Sequence, residues 1–174
     1  MEESFSFLYL GPMPQFDELR SAVSSFTDSD WREYLDRKSG IAAEKSQTIP
    51  LLHDPRQSAV IEHKRYPQFK QHIENVYEIV AQRLHCVSIR QAMFARMMPQ
   101  VEIPRHRDRG PMTAKCHRVH VPVLTNTQCL FSVAEETLHM SEGHIWVIDN
   151  VGKYHSVSNY GDTARTHLII DILA

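Results

Sequence analysis

Cysteine is scarce in this chain, and no two cysteines form a motif. Cys86, Cys116 and Cys129 are odd in number and far apart, with no CxxC pair. That argues against a disulfide framework and against a structural zinc ribbon, and points to a reducing, cytoplasmic setting. Long apolar runs are missing too; none approaches the roughly 20 residues that cross a bilayer. The opening Met1-Glu2-Glu3-Ser4 is acidic, unlike the positive start of a secretory signal. Nor does one sign of charge dominate: 19 Lys and Arg stand against 21 Asp and Glu, for a net charge of −2. A nucleic-acid surface would show a basic footprint, and this chain has none. Repeats, low-complexity tracts and linkers are likewise absent, so one domain over residues 1–174 is expected. Leu, Ile, Val and Phe supply 44 of the 174 residues, above the range of disordered chains.

What the chain does have is histidine: eleven in all, seven of them after residue 100. With so little cysteine, a metal here would be held by nitrogen and oxygen, which suits iron, manganese or catalytic zinc.

The pattern of apolar residues divides the chain near residue 87. Before it lie two helical stripes. Phe16, Leu19, Val23 and Phe26 share a face of a helix expected over Pro14 to Phe26, with Asp17 and Glu18 in its first turn, where the helix dipole favours acids. Phe69, Ile73, Val76, Val80 and Leu84 do the same over Pro67 to His85. Ser4 to Leu10 and Gln47 to Leu52 read as edge strands. After residue 87 the period approaches two. Strands are expected at Ser88–Met98, Arg118–Leu124, Cys129–Val133, His144–Asp149, Tyr154–Tyr160 and Thr163–Leu173, broken at Pro99, Gly110-Pro111, Asn126, Gly143, Gly152 and Gly161. Residues 1–86 then form helical support and edge strands, and residues 87–174 a jelly-roll core carrying the metal site.

Two strands alternate in a telling way. Val119, Val121 and Val123 share one face while Arg118 and His120 share the other; on the last strand Arg165, His167, Ile169 and Asp171 oppose Ala164, Thr166, Leu168 and Ile170. In an ordinary sandwich the aliphatic set faces inward. In a barrel enclosing a polar ligand, the Arg and His set lines the pocket and the aliphatic set packs on helices. Periodicity alone leaves both open.

The segment Ile103-Pro104-Arg105-His106-Arg107-Asp108-Arg109-Gly110 favours the second arrangement. His106 and Asp108 are two apart, so an extended backbone projects an imidazole and a carboxylate to the same side, where both can reach one metal. His155, at the head of a later strand, is well placed as a third ligand. Two histidines and a carboxylate on one face of an iron leave three positions open. Arg165 follows His155 by ten residues on the next strand, where a guanidinium could bind the far carboxylate of a keto acid chelating the metal.

The stretch from about residue 93 to 173 resembles the aspartyl/asparaginyl β-hydroxylase family of Fe(II)- and 2-oxoglutarate-dependent oxygenases. The likeness runs through Met97-Met98-Pro99, Pro104-Arg105-His106 and Cys116-His117-Arg118-Val119-His120, then Glu142-Gly143-His144-Ile145-Trp146-Val147-Ile148-Asp149-Asn150. It ends with His155 to Asn159 and Arg165 to Asp171. The resemblance implies a double-stranded β-helix, mainly β and buttressed by the N-terminal helices, with His106 and His155 as iron ligands. It also implies that Arg165 binds the C5 carboxylate of 2-oxoglutarate, that Arg118 and His120 lie beside this cosubstrate, and that Met97 lines the same pocket. Animal members of the family lack a carboxylate ligand, whereas Asp108 stands at the matching place here, which gives an ordinary facial triad. The activity implied is O2-dependent hydroxylation of an unactivated C–H bond of an amino acid, free or in a peptide, with succinate and CO2 as products. Neither a nucleic-acid nor a membrane partner is expected.

The rival readings are a cupin-type metal enzyme that does not use 2-oxoglutarate and a metal-stabilised binding module without activity. A same-fold oxygenase acting on nucleic acid is disfavoured by Asp171, which stands where a second Arg would be expected, and by the net charge. Other polar residues receive plainer expectations. Arg118 has a possible partner in Glu135 or Glu136. His117, His139, His144 and His167 read as structural or surface groups, with His167 the best placed of them. Arg105, Arg107 and Arg109 alternate away from the ligand side, Trp146 reads as core, and Asn150 as a turn residue. Gly110–Lys115 and Gln47–Gln57 are the candidate segments for covering the pocket.

Overall fold

The computed structural model of the chain describes residues 5–32, 45–54, 59–110 and 113–174. Each helical stripe becomes a helix. The first is α1 (Phe16–Ser24), which buries Leu19 and Val23 and carries Asp17 and Glu18 in its first turn. A one-turn helix, α2 (Asp28–Arg32), follows and buries Trp31. The long α3 (Tyr66–Leu84) has Pro67 at its start, where the missing N–H costs nothing, and ends on His85 in the left-handed conformation. It buries Phe69, Ile73, Val76 and Val80.

Eleven described strands form two antiparallel sheets. In chain order they are β1 (Phe7–Pro12), β2 (Gln47–His53), β3 (Ile61–Glu62), β4 (Ser88–Met97), β5 (Val101–His106), β6 (Cys116–Leu124), β7 (Cys129–Val133), β8 (Glu136–Leu138), β9 (His144–Ile148), β10 (His155–Asn159) and β11 (Arg165–Leu173). The larger sheet has the order β1-β9-β6-β11-β4-β2-β3 and the smaller one β5-β10-β7-β8. This is a jelly-roll double-stranded β-helix.

The packing decides which face of each strand is which. Val119, Val121, Val123, Leu168, Ile170, Ile172, Ala92 and Phe94 form one buried cluster with Leu19, Val23, Trp31, Phe69, Ile73, Val76 and Val80 from the helices. The aliphatic face of the larger sheet is therefore covered by helices. A second, smaller core of Met97, Ile103, Phe131, Val133, Met140, Ile148 and Val157 fills part of the space between the sheets. Arg118, His120, Arg165, His167 and Asp171, on the opposite face of β6 and β11, point into that space.

Two irregular residues link the larger sheet to the first helix. Pro122 cannot donate to a ladder, and it sits beyond His120, where the pairing of β6 with β9 has already stopped. Its carbonyl accepts the Gly143 N–H at 2.9 Å, and the Gly143 carbonyl accepts the Met13 N–H at 2.7 Å. Gly143 has φ +74°, and a Cβ there would lie 2.8 Å from Cδ1 of Phe16. The approach to α1 is thus tied to the β8–β9 connection through a position only glycine fits.

The differences from expectation lie in short elements. The strands β3, β5 and β8 and the helix α2 were not foreseen as elements. The segment expected at Gln47 to Leu52 is one place in from the sheet edge, capped by the two-residue β3. That pairing also makes residues 47–53 a sheet strand instead of a cover for the pocket; the rest of that candidate cover, 55–57, lies outside the described residues, as do 111 and 112 of the other one and Ser4 of the first expected strand. Residues Thr113–Lys115 form a single 3-10 turn leading into β6.

Candidate metal centre

The centre starts from one cross-strand pair. His155, first residue of β10, lies directly opposite His106, last residue of β5. Their rings approach to 4.2 Å between centroids. Asp108, two residues beyond His106, is turned toward both: its Oδ1 is 3.5 Å from Nε2 of His106 and 3.8 Å from Nε2 of His155. The three side chains offer ligand atoms within 4.8 Å of one another, and theirs is the metal-competent cluster of His, Cys, Asp and Glu among the described residues. A metal about 2.1 Å from each donor tolerates separations up to about 4.2 Å, and both carboxylate–imidazole distances fall inside that span.

Each donor is prepared for coordination. Nδ1–H of His106 donates to the Pro104 carbonyl at 2.7 Å, which orients the ring with Nε2 toward Asp108. His155 is buried. Burial pushes its pKa down to about 4 against the pull of Asp108, with the neighbouring His106 and Arg118 adding to the lowering, so at neutral pH the ring is an uncharged ligand. For Asp108 burial works in favour of the neutral acid, but Arg118, the Asn150 amide and both histidines outweigh it, and its pKa is lowered.

The second carboxylate oxygen, Oδ2, has its own partners. Arg118 Nη1 donates to it, and so does Asn150 Nδ2 at 2.8 Å. Asn150 also accepts the backbone N–H of Asp108 on its carbonyl at 2.9 Å. It is 2 % exposed and holds Asp108 from two directions, so it is far more than a turn residue. Arg118 makes two further bonds of 2.7 Å to Asp171, through Nε and Nη2. Its partners are therefore Asp171 and Asp108. Glu136 is not among them, and Glu135 pairs with Arg105 at 3.6 Å instead. Burial opposes the Arg118 charge, yet the two carboxylates more than offset it and raise its pKa.

Arg165 lies deeper, 4 % exposed, opposite Met97 across β11 and β4. No carboxylate reaches it among the described residues. Its Nη2 donates to Nδ1 of His167 at 2.8 Å, and His120 Nδ1 lies 3.2 Å from that same nitrogen. Burial alone draws the Arg165 pKa down to about 10. With His167, Thr125, Cys129, Leu130, Phe131, Met140 and Val157 it lines a small, partly open pocket. Met97 is fully buried in the core between the sheets. Buried polar atoms without a hydrogen-bond partner include Nε2 of His120, Oγ1 of Thr125 and Nε1 of Trp146. Trp146 is half-buried, packed against Tyr9 at 4.9 Å between centroids and edge-on to Phe7 at 6.5 Å.

The arginines flanking His106 and Asp108 turn outward. Arg105, Arg107 and Arg109 are exposed, and the guanidinium of Arg107 covers the Tyr154 ring at 4.5 Å. The structure thus brings together His106, Asp108 and His155 as expected, and of Arg118, His120, Arg165 and Met97, all in the space between the sheets, Arg165 is the one that lines the pocket. Asn150 and His167 were underrated. For His167 a signal existed, since alternation put it on the Arg165 face; for Asn150 none did.

A double-stranded β-helix with a two-histidine, one-carboxylate cluster at one end of the smaller sheet, and a buried arginine that no carboxylate reaches among the described residues, defines a class of jelly-roll metalloprotein. The family described as Aspartyl/Asparaginyl beta-hydroxylase matches residues 13–174, and the chain belongs to that family. An L-proline cis-4-hydroxylase of Rhizobium meliloti (strain 1021) is 26 % identical over 158 residues, which make up 90 % of this chain and 52 % of that protein. The chain thus spans about half the length of this curated relative. Among solved structures, a Pseudomonas putida prolyl-4-hydroxylase aligns with TM-score 0.61 and 13 % identity over 98 % of this chain and 93 % of its own. A Trichoplax adhaerens prolyl hydroxylase, in complex with a hypoxia inducible factor oxygen degradation domain peptide fragment, aligns with TM-score 0.63 and 10 % identity over 97 % and 83 %. At such identities the structural likeness speaks for the fold. Among the described residues no helix is long and apolar enough to cross a membrane.

Proposed function

We propose that the chain is an Fe(II)- and 2-oxoglutarate-dependent dioxygenase that hydroxylates an unactivated C–H bond of an amino acid, free or within a peptide. The observation that carries this reading is Arg165: a buried guanidinium with no carboxylate partner among the described residues, in a pocket between the sheets that also hold the His106, Asp108 and His155 cluster. A buried cation without an anion is costly unless a ligand supplies one. A metal enzyme without an acidic cosubstrate, or a binding module, has no use for it. The family and its proline-hydroxylating relative support the same reading.

In this assignment His106, Asp108 and His155 hold the metal, as two neutral imidazoles and one carboxylate. That donor set suits Fe(II) with open positions for cosubstrate and O2. Arg165 receives the C5 carboxylate of 2-oxoglutarate, His120 and Met97 border the cosubstrate, and Arg118 contributes from the metal side by holding Asp108. The chemistry supplied when Fe(II) and 2-oxoglutarate are bound is hydroxylation of a C–H bond by O2, coupled to decarboxylation of 2-oxoglutarate to succinate and CO2. The chain's own residues bind, orient and exclude water: Phe131, Met140 and Val157 give the Arg165 pocket apolar walls, which strengthens the charge pairing inside it. In this reading the site belongs to one domain over residues 1–174, with the described helices before residue 87 as support.

The test is incubation of the purified protein with Fe(II), ascorbate, 2-oxoglutarate and a panel of amino acids and short peptides, with L-proline first because the relative acts on it. Substrate-dependent succinate, and a matching mass gain of one oxygen in the substrate, is the expected result. No succinate with any member of the panel, together with no change in the visible spectrum when 2-oxoglutarate meets the anaerobic Fe(II) protein, overturns the assignment.

A further inference from the structure

We propose that His167 is a positioning residue: it holds Arg165 through a neutral acceptor, so that the guanidinium keeps its full charge for the carboxylate of 2-oxoglutarate. The inference rests on the cosubstrate reading of Arg165 given above.

Two arginines on the same face of the β6–β11 pair are treated in opposite ways. Arg118 is clasped by two carboxylates, Asp171 and Asp108. Arg165, six residues before Asp171 and more deeply buried, is held by an imidazole. A guanidinium has donors only, so Nδ1 of His167 is the acceptor in the 2.8 Å bond and carries no proton. His120 Nδ1, 3.2 Å from that same nitrogen, then has to present its own N–H. A chain of two neutral rings results, ending in the unpartnered Nε2 of His120.

The surroundings keep those rings neutral. Burial is the largest influence on both His120 and His167, and the Arg165 charge is the next; each pKa lies well below the usual histidine value. The remaining groups that act on His167 are His120 and His139, and those on His120 are Arg118 and His155. None is an acid. An aspartate at position 167 would satisfy the Arg165 N–H equally well and would also cancel its charge, so an incoming carboxylate would meet a filled partner. A neutral acceptor fixes the direction of the guanidinium and leaves the electrostatic attraction unspent.

The experiment compares His167→Asn with His167→Asp, two side chains of equal size that both accept a hydrogen bond and differ in charge. His167→Leu, which accepts none, is added. Mn(II) affinity, then 2-oxoglutarate affinity of the Mn(II)-loaded protein, are measured by calorimetry for each variant and for wild type. The expected result is a 2-oxoglutarate affinity within about threefold of wild type for His167→Asn, at least about tenfold weaker for His167→Asp and about fivefold weaker for His167→Leu. Mn(II) affinity should be unchanged in all. A role limited to filling space would move Asn and Asp alike. Equal affinities for those two variants, or wild-type affinity in His167→Leu, overturn the proposal; if His167→Asp does not fold, the comparison of Asn with Leu decides alone. Wild-type protein that binds Mn(II) but no 2-oxoglutarate would instead overturn the Arg165 assignment on which it stands.

Discussion

Arg118 and the Asn150 amide both donate to Oδ2 of Asp108, which leaves Oδ1 facing the two imidazoles. A carboxylate fixed in this way enters a metal site already oriented. Removing the amide in Asn150→Ala should weaken Mn(II) or Ni(II) binding by about 10- to 100-fold, the range typical of outer partners of metal ligands, as measured by calorimetry. The pairing joins residues 42 positions apart, and a residue in a turn has no period to reveal which way it points. That is why Asn150 escaped a reading of the sequence, whereas His106, Asp108, His155 and Arg165 were legible from spacing alone. Titration offers a second check at this scale. His120, His155 and His167 have folded pKa values lowered from 6.5, mainly by burial. Above pH 6.5 both folded and unfolded states hold them neutral, and they contribute nothing. Below it the unfolded chain takes up protons that the folded one refuses, so stability falls as pH falls, by up to about 1.4 kcal/mol per pH unit for each group. Urea unfolding of the metal-free protein at pH 7 and pH 5 should show that loss, and His167→Asn should lessen it.

Gly143 joins two elements that the sequence presents as unrelated. Its φ of +74° and the 2.8 Å approach of a Cβ to the Phe16 ring leave no room for alanine. Gly143→Ala should therefore destabilise the fold by about 1–3 kcal/mol, seen as a lower denaturation midpoint, with the slope of the transition unchanged. The long helices and strands were readable because α3 spans 19 residues and β11 nine, enough for a period to declare itself. The strands β3 and β8 have two and three residues and the helix α2 has five. Segments so short carry no period, and their conformation comes from neighbours: β8 from pairing with β7, β3 from β2.

At the scale of the molecule, the two sheets meet around a polar interior while the larger apolar core lies outside them, under the helices. Alternation showed that β6 and β11 have two unlike faces, but the choice of inner face depends on what packs where, and the sequence hinted at it through the segment from Ile103 to Gly110 rather than through periodicity. The His106, Asp108 and His155 cluster ties β5, which among the described strands pairs with β10 alone, to that interior. Metal should then act as a clamp on the small sheet. At 100 times its dissociation constant, Mn(II) should raise stability by about 2.7 kcal/mol. A chelator should reverse the gain in a thermal melt while leaving the far-ultraviolet circular dichroism spectrum at 20 °C unchanged, as checked at about neutral pH, where the cluster is built to bind.

The alternation along β6 and β11 also constrains how this site can change over time. Every second residue serves the helices and every other one the interior, so inserting or deleting a single residue within either strand would exchange the two sets along the rest of its length. Valines would replace histidines beside the ligand, and charges would be pushed under the helices. Replacing side chains in place or rebuilding the loops between strands leaves that alternation intact, whereas a change of strand length has to be absorbed in a bulge such as those β11 already carries. New specificities in such a scaffold should arise by substitution at the inward positions and by variation in the connecting segments.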